Sequence, residues 1–255
     1  MNTTLHRMYL IGGGWSEEAF AETYGPFVRA ATGDTGRKIA LVIALDDESD
    51  RGDVEAKFRS PFESLSVAHD EIAAIFVSKD HPLTLETLTA IDPTGVFVCG
   101  GTTPLYQEAL CRDTGWLGYV IAEQLPYGGF SAGSSIAAQR AVVGGWRIPV
   151  GASETPIVDE EVSEGLDLVT VRDGLGLLPL SIDVHCGQWS TITRLIHAVN
   201  AGMIEVGLGI DEDTMLEVEN GVRSVRGLGH VYRVQSDGAA RVTVEIFVTG
   251  DIIDP

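Results

Sequence analysis

The sequence predicts a doubly wound, mostly parallel α/β sheet flanked by helices, followed by an antiparallel β extension. Three observations carry this prediction. Strand-like and helix-like segments alternate through the first two thirds of the chain. The strands there are continuous apolar runs, such as KIALVIAL at 38–45 and GVFVC at 95–99. From Met215 the pattern changes to β-rich segments separated by Asn-Gly and Asp-Gly turns. Continuous apolar strands belong to parallel sheets covered on both faces. The βαβα rhythm is that of doubly wound folds, and Asn-Gly and Asp-Gly turns close hairpins.

The elements follow in order. Arg7–Ile11 is a short apolar strand ending in Gly12-Gly13-Gly14. Residues 16–31 read as a helix, with Ser16 as N-cap and Glu17 and Glu18 in the first turn. Residues 38–45 are a strand, 53–65 a helix, 72–77 a strand, 83–90 a helix and 95–99 a strand. Residues 116–124 are apolar at helical spacing and stop before Pro126. The small-residue run 132–142 reads as a buried helix. The Gly/Pro/acid-rich stretch 144–165 reads as a long surface loop framing a site. Residues 180–186 alternate, with Leu180, Ile182 and Val184 on one face and Ser181, Asp183 and His185 on the other. A helix at 190–201 and a strand at 206–210 precede β segments at 215–218, 230–235 and 241–248. The whole reads as one domain over 1–255, with a core of about 8–214 and a β-rich extension of about 215–250.

Composition narrows the function. At 255 residues and 44% hydrophobic the chain can bury one substantial core. A net charge of −20 disfavours nucleic acid and anionic membranes as partners, because both need a basic surface. No apolar run reaches the length of a membrane span, and the N-terminal apolar run is too short for a signal peptide, so a cytoplasmic location is expected. Cys99, Cys111 and Cys186 show no disulfide or metal-ligand spacing. No metal or cofactor is expected. The glycine run at 12–14 lacks the spacing of a dinucleotide fingerprint.

The chemistry concentrates in Gly129-Phe130-Ser131-Ala132-Gly133, a G-x-S-x-G pattern. A serine hydroxyl becomes a useful nucleophile when a tight strand-to-helix turn holds it within reach of a base. The Ala132 amide would face the developing oxyanion from the start of a helix. His185 is the best-placed base among six histidines, near the end of its strand. Glu212, just past the strand at 206–210 and at the carboxyl edge of the sheet, can orient it; Glu154 and Asp183 compete for that role. Gly100-Gly101, after the strand at 95–99, can supply a second oxyanion amide.

These residues resemble a known family. The Ser131 block, Cys99-Gly100-Gly101, Asp183-Val184-His185 with Arg194-Leu195 downstream, and Ile210-Asp211-Glu212-Asp213-Thr214 are similar to the dipeptidase E and cyanophycinase serine peptidases, over about residues 8–218. The resemblance implies a fold like the type 1 glutamine amidotransferase domain and cleavage of small peptides at an aspartyl residue, without metal or cofactor. It implies Ser131 as nucleophile, His185 as base, Glu212 as its orienter, and the amides of Gly101 and Ala132 as the oxyanion hole. Thr103, Asp183 and Arg194 become substrate-binding candidates, Arg194 as the cation facing an aspartyl carboxylate. The chain departs from the cyanophycin-cleaving pattern at Thr102-Thr103, Val184, Trp189 and Thr191. Two rivals stay open: an α/β-hydrolase esterase using Ser131, His230 and Asp211 or Asp213, and a non-catalytic small-molecule binding protein. The oligomeric state is open, with a homodimer as one option.

Overall fold

The structure, a computed structural model, describes residues 5–32, 37–238 and 241–254; Met1–Thr4 of the N-terminal stretch lie outside them. Strands β1 (Arg7–Ile11), β2 (Ile39–Ala44), β3 (Ile72–Val77), β4 (Gly95–Val98) and β5 (Tyr127–Phe130) lie parallel in the order β3-β2-β4-β5-β1. All six residues of β2 are buried, as a central strand covered on both faces requires. Helices α1 (Phe20–Thr23), α2 (Gly25–Ala31), α3 (Arg51–Ser64), α4 (Leu85–Ile91), α5 (Thr103–Leu110) and α6 (Gly115–Ala122) connect them, and α7 (Ala132–Ala137) follows β5.

Four readings need correction here. The helix expected over 16–31 is a 3-10 turn at Glu17–Ala19 followed by two short helices. Pro26 sits in the first turn of α2, where a missing N–H costs nothing. Ser16 makes no side-chain cap; its backbone N–H donates to Asp213 Oδ1 at 3.0 Å. The helix expected over 132–142 ends at Ala137, because Ala138 turns extended and the β-branched run that follows enters a strand.

That strand, β6 (Arg140–Gly144), pairs with β9 (Thr170–Asp173). Between them lies a hairpin of β7 (Arg147–Val150) and β8 (Ser153–Pro156), then a 3-10 turn at Glu160–Val162 capped by Asp159. The stretch expected to be a loop is therefore partly ordered as strands. Its strands are only four residues long, and β8 is polar and exposed throughout, so no alternating pattern shows.

The chain continues through β10 (Ser181–Val184), α8 (Ile192–Asn200), β11 (Val206–Ile210), β12 (Thr214–Glu219), β13 (Val222–Gly227), β14 (Val231–Ser236), β15 (Val242–Phe247) and β16 (Ile252–Ile253). β12 pairs antiparallel with β1 and extends the main sheet through β13 to β16. β10 and β11 pair in parallel and form a second, four-stranded sheet with β14 and β15. The antiparallel C-terminal strands are thus shared between two sheets, and the strands carrying His185 and leading to Glu212 belong to the smaller one. Local pattern gives strand identity, not sheet membership. Nothing in residues 180–210 distinguishes a second sheet from the first.

The larger core cluster packs helices on the main sheet, with Tyr24, Phe27, Phe62 and Phe97 meeting as edge-on and stacked pairs 5.0–6.2 Å between centroids. Each such ring removes about 150–250 Å² from water. A smaller cluster around Leu195, Val199 and Val234 fixes α8 against the second sheet. No helix among the described residues is long and apolar enough to cross a membrane.

Candidate active site

Ser131 follows β5 and opens α7 with φ 51° and ψ −109°, a conformation an L-residue adopts only when its surroundings impose it. The surroundings do so here. The Ser131 N–H donates to Ile11 O at 2.9 Å, and its carbonyl accepts the first helical bonds from Ser134 and Ser135. The Ser134 hydroxyl donates to Ile11 O and to Gly129 O. The sequence demands small residues because α7 abuts the sheet: a Cβ on Gly133 would lie 2.1 Å from Val98 O.

His185 leaves β10 with φ 57°. Its N–H donates to Gly12 O at 3.0 Å, and its ring stacks on Trp189, 3.8 Å between centroids and 6° from parallel. The Ser131 hydroxyl lies 2.8 Å from His185 Nε2, and His185 Nδ1 lies 2.7 Å from Glu212 Oε1. A carboxylate can only accept, so Nδ1–H donates to Glu212 and Nε2 is left to accept the serine proton. Glu212 is held by its own N–H donating to the Gln188 side-chain oxygen at 2.8 Å. Ser131 and His185 are both buried, at 8% and 7% exposure, while Glu212 is partly open.

The glycine run after β1 bonds to the start of β12 in its own sheet and reaches the end of β10 in the other. Gly12 N–H donates to Thr214 O, Asp213 N–H to Gly13 O, and Gly12 O receives the His185 amide. Gly13 has φ 121° and sits so close to His185 that a Cβ would lie 2.1 Å from the ring. The run sits at the carboxyl end of β1, level with Gly100-Gly101 after β4 and Ser131 after β5, as expected for an open α/β sheet. The Ala132 amide opens α7, and Gly101, at φ 150°, follows β4.

Three predicted substrate residues are engaged elsewhere. Arg194 and Asp183 form a buried bidentate pair, Nε to Oδ2 at 2.9 Å and Nη2 to Oδ1 at 2.7 Å, with Nη1 donating to Val162 O. Burial opposes the Arg194 charge, but the Asp183 carboxylate outweighs it and holds the guanidinium above its ordinary pKa. Arg194 is therefore not the free cation expected to face substrate. Removing one partner of such a pair costs about 3–5 kcal/mol, so its role is to pin the 160–165 segment and β10. Thr103 gives both its N–H and its hydroxyl to Glu164, at 3.1 and 3.2 Å. Burial pushes the Glu164 carboxyl above its usual range, and the Thr103 amide and Arg194 pull it back.

The competing assignments separate cleanly. Glu154 lies on the exposed hairpin, 3.8 Å from Arg147. Asp183 is committed to Arg194. His230 pairs with Asp211, which also accepts from Gly187 N–H and Tyr232 OH, and His230 makes no bond to Ser131. Asp213 receives the Ser16 amide. Cys186 is fully buried, and burial pushes its thiol well above the ordinary range. Among the described residues no group of three or more His, Cys, Asp and Glu is placed to hold a metal ion.

A cavity of about 900 Å³ opens over Ser131, lined by Gly100, Gly101, His185, Trp189 and Glu212, by Trp15, Phe58 and Phe130, and by Glu161, Val162 and Glu164. Trp15, Gln188, Trp189 and Glu164 were not assigned to the site from sequence. The one available signal was Trp189, four residues beyond His185.

The site therefore sets a serine on a strand-to-helix elbow, with an imidazole and a carboxylate in line and an open cavity above them, in an α/β protein. A family model places it more narrowly. The chain belongs to peptidase family S51, whose model matches residues 8–225. It is 33% identical over 145 residues to a cyanophycinase of Synechococcus elongatus, covering 54% of this chain and 40% of that protein. A cyanophycinase of a Nostoc species is 34% identical over 146 residues, 54% of this chain and 43% of the relative. The matched stretch thus spans under half the length of these relatives. In fold, the chain is similar to a peptidase from an acI-B1 Actinobacterium, with a TM-score of 0.68 at 15% identity over 99% of this chain and 98% of the other. The resemblance read from the Ser131 and Ile210–Thr214 blocks and the doubly wound α/β architecture both stand.

Proposed function

We propose that this protein is a serine-type peptidase of small peptides, cleaving at an aspartyl residue. Ser131 attacks the scissile carbonyl, His185 takes the serine proton and returns it to the leaving amine, and Glu212 orients the imidazole and stabilises its charged form. The amides of Gly101 and Ala132 receive the oxyanion. No cofactor or metal takes part in this scheme. The observation that carries the reading is the unbroken line of two short bonds, 2.8 Å and 2.7 Å, from hydroxyl to imidazole to carboxylate. The strained Ser131 backbone supports it, since such strain is a feature of nucleophile elbows. The cytoplasm is the setting of this reading and a small peptide its partner; the net charge of −20 favours neither nucleic acid nor anionic membranes.

The test is hydrolysis of a dipeptide library, with cyanophycin included, by wild type and Ser131→Ala, alongside labelling by a fluorophosphonate probe. Ser131→Ala is expected to lower turnover by about 10⁴–10⁶ and to abolish labelling. Undiminished hydrolysis by Ser131→Ala would reject the assignment.

A further inference from the structure

With Arg194 sequestered, a substrate carboxylate needs another cation. We infer that Lys57 on α3 is the specificity-determining residue that receives a carboxylate of the peptide, an inference that rests on the peptidase reading above. Lys57 lines the Ser131 cavity and, His185 aside, is the one basic side chain among the described residues that does. Its ammonium sits 4.3 Å from the Trp15 ring centre. Trp15 in turn packs on Phe130, 4.7 Å between centroids, and Phe130 directly precedes the nucleophile.

The chemistry of the surroundings favours this role. Among the described residues Lys57 forms no ion pair with a carboxylate, whereas its neighbour Arg59 is tied to Glu55 at 2.7 Å. An indole face holds the ammonium by cation–π attraction without satisfying its N–H donors. Those donors remain available to an incoming acceptor. The other charged groups on the cavity wall are acids: Asp46, Glu161, Glu164 and Glu212. They repel a substrate carboxylate from the rest of the wall and leave Lys57 as the place it can settle. Trp15, Phe58 and Phe130 supply the apolar surface between that position and Ser131. Two carboxylates of a small peptide fit this chemistry, the side chain of an acidic residue and the C-terminal group.

The experiment compares Asp-Leu, Asn-Leu and Asp-Leu-amide as substrates of wild type, Lys57→Met and Lys57→Arg. Lys57→Met is expected to reduce kcat/KM on Asp-Leu, mainly through KM, by about tenfold more than on one of the two neutralised analogues, the scale of one charge-assisted hydrogen bond. The analogue that escapes the loss names the carboxylate: Asn-Leu the side chain, Asp-Leu-amide the terminus. Lys57→Arg is expected to restore most of the preference. An equal loss on all three substrates, or none, overturns the inference. Equilibrium binding of Asp-Leu to Ser131→Ala with and without Lys57→Met, read by tryptophan fluorescence, separates the two proposals. Lys57-dependent binding in a protein whose wild type hydrolyses nothing sinks the peptidase reading and keeps the Lys57 site. Binding indifferent to Lys57 sinks the site alone.

Discussion

Substituting Gly13 by alanine should disable the site while leaving every reacting group chemically unchanged. Gly13 adopts φ 121°, where a Cβ is strained whatever the space, and the new methyl would lie 2.1 Å from His185 Cε1 and 2.5 Å from Nδ1. Ordinary contact begins near 3.4 Å, so either the imidazole or the backbone must move by more than an ångström. The backbone is poorly placed to yield, because Gly12 and Gly13 are bonded to Thr214, Asp213 and His185. The ring would give way, away from Ser131 or into Trp189, against which it already stacks. A misplacement of about 1 Å costs on the order of 10²-fold in rate. Forcing the backbone conformation costs about 1–3 kcal/mol, and each kcal/mol is about 2–4 °C of Tm in a chain of this size. We expect Gly13→Ala to fold, to melt several degrees lower, and to lose about 10²-fold or more in kcat and in the rate of fluorophosphonate labelling. Full activity with an unchanged Tm would refute the claim that the glycine run seats the histidine.

Two further outcomes follow from the same geometry. His185→Ala should abolish turnover while His230→Ala leaves most of it, measured on one peptide substrate; the reverse would restore the esterase arrangement built on Asp211. Glu164, whose folded pKa is raised by burial, binds more protons folded than unfolded near the carboxylate range, so its contribution to stability falls as pH rises from about the ordinary value of 4.5. The Tm difference between wild type and Glu164→Gln should therefore shift in favour of the variant across that rise, and a pH-independent difference would contradict the burial argument.

Much of the site was legible because its chemistry is local. The elbow glycines around Ser131 announce a close approach, and the alternation through Asp183 to His185 places the histidine at a strand end. Short apolar runs gave the bounds of β3 and β11 directly, since both are bounded by polar residues. What was hidden is what distance in sequence hides. The assignment of β10 and β11 to a separate sheet depends on pairing with β14, and Arg194 looked like an available cation because its partner lies eleven residues back on another element. Lys57 was obscured for the opposite reason: on an exposed stretch of α3 it looks like any solvated helix lysine until the fold brings Trp15 beneath it.

The proposed proton path has its donor on one sheet and its acceptor on another. Ser131 follows β5 of the large sheet, while His185 follows β10 of the small one, and the His185 amide donating to Gly12 O is a backbone link between them. Neither layer holds a working half. On the proposed mechanism, alignment is a property of how the two layers dock, so a slippage between them too small to unfold either one would silence the hydroxyl while leaving both layers intact.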